Sequence, residues 1–277
     1  MANLGRFNTL KVLRHSEFGL FLDAGDFGDV LLPKRFVETS MKVGDDISVF
    51  LYNDSEDRVV ATTETPRAQV GKCAYLKVVS VTRIGAFLDW GLSKDLLVPF
   101  SEQQKPMQKG YSYAVWVFVD ESTQRIVASS RLERHLTGET ANYRQGDPVE
   151  LLIYGRSDLG FKAIVDDCRL GQLYENETFA RLHHGERVQG FIKQVRRDGK
   201  IDLALQLSAP GEPDQLQNAI LEHLRQNDGV STLTDYSPPD AIYKVFGVSK
   251  AKYKKALGRL YRQQKIQIEN ERIVLLG

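Results

Sequence analysis

Apolar residues in the first three-quarters of the chain occur in short runs that Gly, Pro, Asp and Asn separate, a pattern that predicts β-strands joined by turns. In three segments a glycine begins one of these strands and a second glycine follows 25 residues later. The pairs are Gly19 and Gly44, Gly85 and Gly110, and Gly160 and Gly185. A spacing that is kept three times indicates three copies of one structural unit.

Each copy contains five predicted strands. One strand precedes the first glycine, one begins at it, one ends at Pro33, Pro99 or Tyr174, and a hairpin follows the second glycine. Too few residues remain for crossover helices, so we expect all the strands to pair antiparallel. Five short strands that close on themselves describe the OB-fold barrel, with another small barrel as the alternative. We therefore predict a mainly β chain with tandem five-stranded barrels at residues 1–65, 66–134 and 142–208.

The pattern changes after residue 208. Pro210, Gly211, Glu212 and Pro213 form a predicted linker. Apolar residues then recur at helical spacing and predict helices at 214–226, 239–246 and 250–264, and two β-like runs follow at 266–268 and 272–275. Three helices and a hairpin predict a winged helix over residues 214–277.

The third predicted helix of this domain carries cations without an intervening acidic residue. They are Lys250, Lys252, Lys254, Lys255, Arg259, Arg262 and Lys265. Like charges on one helix repel one another unless a partner neutralises them, which favours a phosphate-binding surface. A solubilising surface is the alternative. Duplex DNA is a further possible partner, because a helix after a turn also enters major grooves in such domains.

Single-stranded nucleic acids bind barrels of this kind through rings that stack on bases and cations that contact phosphates. If Leu20 and Leu22 face the interior, Phe18 and Phe21 lie on the outer face, and Phe87 does so in the second copy. Burial under a neighbouring barrel is the alternative for each ring. The cations that we select as phosphate contacts beside these faces are Arg58, Arg125, Lys162, Lys193, Arg196, Arg197 and Lys200.

The second copy resembles the S1-type RNA-binding barrel in its Gly85-Ala86-Phe87-Leu88-Asp89 strand and in its Leu97-Val98-Pro99 and Arg125–Ser129 segments. The segment from Gly190 to Leu203, together with three barrels before a winged helix, resembles the conserved virulence factor B family of bacterial RNA-binding proteins. The resemblance implies S1-type barrels that bind RNA. Pro33 and Pro99 replace a histidine that is common in S1 barrels, which removes one expected stacking ring.

Charge is spread unevenly along the chain. Residues 1–64 have 7 Lys and Arg against 11 Asp and Glu, net −4, whereas residues 65–141 and 214–277 each have 10 against 7, net +3. Residues 142–208 have 10 of each sign. We therefore expect the first barrel to attract a polyanion least.

Catalysis and metal binding have little support in the sequence. The adjacent His183 and His184 do not converge on one metal along a strand, and Cys73 and Cys168 form no Cys-x-x-Cys pair. No apolar run is long enough to span a membrane, and no secretory signal is evident, so we expect a cytoplasmic protein without a cofactor.

The leading hypothesis is a protein that binds single-stranded or loop RNA with low sequence preference and regulates it after transcription or during translation, without catalysis. One alternative is a transcription regulator that binds DNA through the winged helix. Another is an assembly factor that associates with the ribosome.

Overall fold

The computed structural model describes residues 1–137, 143–175, 182–196, 198–205 and 215–276. The chain divides into two compact units, residues 1–206 and 207–277. The first unit contains three closed five-stranded barrels, and the second contains helices and a small sheet. The predicted fold class, mainly β with three barrels and a C-terminal winged helix, is therefore confirmed.

Fifteen strands build the barrels. The first barrel contains β1 (Phe7–Ser16), β2 (Gly19–Asp23), β3 (Asp29–Pro33), β4 (Asp46–Asn53) and β5 (Val59–Thr62). The second contains β6 (Cys73–Val81), β7 (Gly85–Asp89), β8 (Leu96–Pro99), β9 (Ser112–Asp120) and β10 (Arg125–Ser129), and α1 (Leu132–His135) follows it. The third contains β11 (Pro148–Ser157), β12 (Gly160–Val165), β13 (Arg169–Tyr174), β14 (Arg187–Val195) and β15 (Ile201–Ala204).

All three barrels have the same strand order, in which the fifth strand lies between the third and the fourth. The third and fifth strands pair in parallel in each barrel, so the expectation that every pair is antiparallel is wrong for this one. The fourth strand supplies the physical reason. The fourth strand runs opposite to the third, and the fifth runs opposite to the fourth. The fifth strand therefore points in the same direction as the third, and no crossover helix is needed.

The glycines that define the repeat are required by the close approach of a neighbouring strand. Gly19 lies opposite Pro33, and Gly85 and Gly160 hold the same register opposite Pro99 and Tyr174. A Cβ atom on Gly19 would lie 2.0 Å from the carbonyl oxygen of Leu32. Because no side chain fits at that distance, the repeat keeps a glycine at this position.

The first and second barrels share one hydrophobic core. The rings of Phe50 and Trp90 meet edge to face across the junction, with centroids 5.8 Å apart. The amide of Ile126 donates to Asn53 Oδ1 at 3.2 Å, which joins the two barrels further. Because apolar surface of each barrel is buried by the other, the two barrels form one structural block.

The third barrel has its own core and contacts the second through a smaller apolar cluster. A buried carboxylate, Asp167, lies at this contact. It accepts the amide of Cys73 at 3.0 Å and pairs with Arg187 at 3.1 Å and Lys72 at 3.3 Å. Arg187 also donates to the carbonyl of Cys73. A charge at this depth is tolerated because it has both ionic and hydrogen-bonding partners.

The second unit contains α2 (Gln215–Gln226), β16 (Val230–Ser231), α3 (Pro239–Phe246), α4 (Lys250–Arg262), β17 (Ile266–Ile268) and β18 (Ile273–Leu275). The strands form one sheet in the order β16, β18, β17. The side chain of Ser249 caps α4 by accepting the amide of Lys252, as predicted. Tyr253 is buried and donates from its hydroxyl to the carbonyl oxygen of Leu233 at 2.7 Å, which orients α4 on the core.

None of the helices in the described part of the chain is long and apolar enough to cross a membrane.

Candidate nucleic-acid interface

The candidate rings lie on the outer faces of the first two barrels. Leu20 and Leu22 are fully buried inside the first barrel, which turns Phe21 between them to the outside, where it is partly covered. Phe87 has the same position on β7. Phe18 precedes β2 at the hairpin tip and is 63% exposed. Alternation along the strand explains the placement of Phe21 and Phe87, whereas Phe18 is exposed because it lies in the turn before β2.

Two exposed apolar side chains occupy the position of Phe18 in the other copies. They are not among the candidate residues chosen from the sequence. Ile84 and Leu159 each directly precede the first glycine of their copy, and each is 59% exposed. The repeat spacing was the signal that identifies them. Every barrel thus has a large apolar side chain at the tip of its first hairpin.

A row of outward positions crosses four strands of each barrel, and we call it the outer row. Strand pairing defines it. In the first barrel it contains Phe21, Leu31, Val60 and Tyr52. In the second it contains Phe87, Leu97, Val127 and Phe118. In the third it contains Lys162, Gln172, Asp202 and Gln194. The outer row is therefore apolar and aromatic in two barrels and polar in the third.

A groove of about 790 Å³ lies over the outer row of the first barrel, and we call it the first groove. It brings together the candidate residues Phe18, Phe21 and Arg58. Ser93 and Lys94, which belong to the second barrel, complete its wall. The second groove, of about 200 Å³, is lined by Phe87, Ile84 and Arg125 and shares Ser55 and Lys94 with the first. The two grooves therefore adjoin.

The cations that were selected beside the fifth strands are paired within the protein. Arg58 contacts Asp54 at 2.7 Å and Glu56 at 2.9 Å. Burial alone would raise the pKa of Asp54, but hydrogen bonds from the Arg58 side chain and from backbone amides lower that pKa overall. Asp54 therefore stays ionised and competes with any phosphate for Arg58.

Asp57 holds two further cations at the junction of the grooves. Its carboxylate contacts Lys94 at 3.2 Å and also pairs with Arg125. A ligand phosphate that approached either cation would have to replace this carboxylate.

An arginine covers one face of the Phe21 ring. The guanidinium carbon of Arg14 lies 3.7 Å from the ring centroid, and Arg14 also pairs with Asp29 at 3.6 Å. A base cannot use the face that Arg14 occupies, so Phe18 offers the more accessible ring in the first groove.

The candidate cations of the third barrel lie on its polar side. Lys162 and Lys193 are exposed on β12 and β14. Arg196 pairs with Asp202 at 3.5 Å and Lys200 with Asp198 at 3.5 Å. The backbone amide of Lys200, more than its charge, lowers the pKa of Asp198. Arg197 lies outside the described residues.

The candidate cations of the second unit project from the solvent side of α4. Lys254, Lys255, Arg259 and Arg262 are exposed, whereas Tyr253, Ala256, Leu257 and Leu260 are buried on the opposite side. Lys254 contacts Asp235 at 3.2 Å. Lys250 donates to the carbonyl oxygen of Tyr236 at 3.2 Å, which holds it near the start of the helix.

Comparison with known proteins gives the family. Residues 4–64 and 70–130 match the model of the S1 domain, and residues 218–275 match that of the CvfB-like winged helix domain. "Uncharacterized protein YitL" of Bacillus subtilis is 29% identical over 96% of this chain and 91% of its own length. "Conserved virulence factor B" of Staphylococcus aureus is 27% identical over 86% of this chain and 82% of its own.

The chain belongs to the conserved virulence factor B family. A crystal structure from Streptococcus pneumoniae, described as a multidomain protein with nucleic acid binding domains, aligns with 99% of this chain and 98% of its own, at 24% identity and a TM-score of 0.42.

In this member of the conserved virulence factor B family, the matches to the S1 domain cover the two barrels whose outer rows are aromatic. The third barrel keeps the strand order of the other two, with polar residues in its outer row. In the described ranges no three His, Cys, Asp or Glu side chains are grouped so that they could hold a metal ion. The arrangement provides rings, hydrogen-bonding groups and cations for a polyanion, which is what nucleic-acid-binding domains of the S1 type offer.

Proposed function

We propose that the protein binds single-stranded or loop RNA with low sequence preference through the outer faces of its barrels. The observation that carries this proposal is the pair of adjoining grooves, each with a ring of the outer row, an exposed apolar tip and an arginine at the start of the fifth strand. Bases stack on such rings whatever their identity, and the cations follow the backbone. S1 domains in the first two barrels support the proposal.

Occupancy of the RNA is sufficient for a regulatory effect, since a bound strand is withheld from ribosomes, nucleases and competing base pairing. We therefore place the protein among cytoplasmic post-transcriptional or translation-associated regulators that act without catalysis or a cofactor. The third barrel and α4 contribute phosphate contacts in this proposal, because their candidate residues are cationic and not aromatic.

The test is a titration of the full chain with single-stranded RNA, single-stranded DNA and duplex DNA of the same sequence over a salt series. Tightest binding to the RNA is expected. Because the 2′-hydroxyl is the group by which a protein distinguishes RNA from DNA, the two single strands are the decisive comparison. If RNA binds no more tightly than single-stranded DNA, or no more tightly than duplex DNA, the proposal is overturned.

A transcription regulator that binds duplex DNA is the second candidate function. It is favoured by the order of α3, a short turn and α4, whose solvent side is cationic, because this arrangement presents a helix to a major groove. The same titration distinguishes it, because duplex DNA would then bind tightest. Alanine substitutions on α4 would then abolish the binding of duplex DNA and leave the binding of RNA unchanged.

A further inference from the structure

We propose that the first groove is the base-selecting part of the RNA interface, that Arg35 performs the selection, and that guanine is the preferred base. The inference rests on the proposed function and deepens it. Most of the interface is expected to tolerate any base, because stacking rings and phosphate-binding cations do not distinguish one base from another. Selection requires hydrogen-bonding groups that are held in a fixed position next to a stacking surface.

Arg35 is held in such a position. Its guanidinium lies over the ring of Phe36, 4.6 Å from the ring centroid, and its Nη2 donates to Ser93 Oγ at 3.3 Å. Ser93 in turn lies 3.4 Å from the hydroxyl of Tyr52, which is buried in the groove floor. Three residues from two barrels thus orient one guanidinium, and pre-orientation reduces the entropy that binding costs.

Arg35 differs from the other arginines around the groove in its partners. Arg14 pairs with Asp29, and Arg58 pairs with Asp54 and Glu56. Arg35 contacts no carboxylate among the residues that the structure describes, and only neutral groups hold it. A guanidinium has five N–H donors, so most of those of Arg35 stay available to a ligand while its position is fixed.

The corresponding positions of the second barrel lack this cluster. Strand pairing aligns Tyr52 with Phe118, which has no hydroxyl group. The repeat aligns Arg35 with Ser101, since each lies two residues after the proline that ends the third strand. The second groove therefore keeps the stacking residues of the first groove but lacks the N–H donors of an arginine at the position of Arg35.

Guanine is the base whose acceptors match the parallel N–H donors of the Arg35 guanidinium. Its O6 and N7 atoms are two neighbouring acceptors, and arginine donates to both at once, whereas adenine presents one acceptor and one donor on the same edge. Phe18 lines the same groove and exposes a ring on which the base can stack. The groove volume of about 790 Å³ is within the range of sites that take a small molecule, roughly 300–1,000 Å³.

The experiment measures the affinity of the full chain for short oligouridines in which a few dispersed positions are guanine, adenine or cytosine. The wild-type protein should bind the guanine oligonucleotide at least about fivefold more tightly than the adenine one, since a bidentate contact discriminates by that factor or more. Arg35→Lys keeps the charge but removes the two parallel N–H donors, so this variant should lose the preference for guanine while its affinity for plain oligouridine changes by a smaller factor.

Two further variants test the support of Arg35. Tyr52→Phe and Ser93→Ala remove only the hydroxyls that position the guanidinium, and each should reduce the preference for guanine by a larger factor than it changes the affinity for plain oligouridine. Arg58→Lys is the matched control in the same groove. It should change the affinity for every oligonucleotide by the same factor and leave the preference intact.

The outcomes separate this inference from the proposed function. If the wild-type protein binds all four oligonucleotides equally, or if folded Arg35→Lys keeps the wild-type preference, the inference is overturned while RNA binding stands. If the protein does not bind oligouridine of any kind, the proposed function fails and the inference fails with it. Thermal melting of each variant checks that the fold is intact.

Discussion

At the scale of single residues, the outer faces combine rings that are open to a ligand with cations that carboxylates already hold. Phe18 is 63% exposed, and Phe87 is partly exposed on the outer face of β7. Arg58 and Arg125 must first leave Asp54 and Asp57. We therefore expect stacking to contribute more to affinity at these faces than the number of cations suggests.

Phe87→Ala is expected to weaken binding of single-stranded RNA by about 1–3 kcal/mol, the usual contribution of one stacked base. The salt dependence should not change, because a base that stacks on a ring releases no counterions. Titrations of one RNA at several salt concentrations measure both quantities. Phe27→Ala is the control, since Phe27 is a partly exposed ring that lines neither groove, and it should bind as the wild type does.

Asp57→Asn is expected to tighten RNA binding. The change releases Lys94 and Arg125, while asparagine tolerates the left-handed backbone that Asp57 adopts at φ 62°. Each cation that then contacts a phosphate should steepen the log-log salt slope by roughly 0.7. Asp26→Asn removes an equal charge outside both grooves. This control shows whether tighter binding comes from the release of Lys94 and Arg125 or from the change in the net charge of the protein. A folded Asp57→Asn variant that binds no more tightly than Asp26→Asn would contradict the argument.

At the scale of whole elements, α4 is the segment in which cations dominate. Its buried side is fixed by Tyr253 and the leucines of the core, so its orientation does not depend on the charged side. The strands and helices were largely predictable because glycine spacing and helical periodicity are local signals. The two-residue β16 was not predicted, and α4 ends at Arg262, two residues before the predicted end.

Replacing Lys254, Lys255, Arg259 and Arg262 together with alanine should flatten the salt dependence of binding. The log-log slope should fall by roughly 0.7 for each phosphate of a single strand that the helix no longer neutralises. Alanine is a good helix former, so α4 itself should persist. Arg225→Ala removes a cation of α2 that pairs with Glu222 and should leave the slope unchanged. An unaltered slope and affinity in the fourfold variant would mean that α4 does not contact the RNA.

At the scale of the whole molecule, the repeat predicts three similar barrels, yet the structure joins the first two through a common core. The local pattern of apolar residues does not predict this shared core, because Phe50 and Trp90 each have the pattern of an interior residue of their own copy. The same limit applies to the candidate site. Phe21, Phe87 and Lys162 follow from the repeat, whereas the contact of Ser93 with Tyr52 and Arg35 appears only after the barrels are docked.

Residues 1–65 in isolation should be less stable than the same barrel within residues 1–134. Separation exposes Phe50, which is fully buried in the intact chain, together with the rest of the shared core. Amide hydrogen exchange of β1 to β5 in the two fragments provides the measurement, and protection should be lower throughout the isolated barrel. Equal protection in both fragments would show that the shared core adds no stability.

Under the proposed function, the adjoining grooves, which meet at Ser55 and Lys94, make the first two barrels bivalent toward one strand. Once a strand occupies one groove, its next nucleotides reach the other at an effective concentration set by the short tether and not by the RNA in solution. Affinity should then rise abruptly at the strand length that first reaches both grooves, and a short unpaired loop below that length would be held by one groove alone. Strand length would thereby determine which transcripts the protein retains in competition with others.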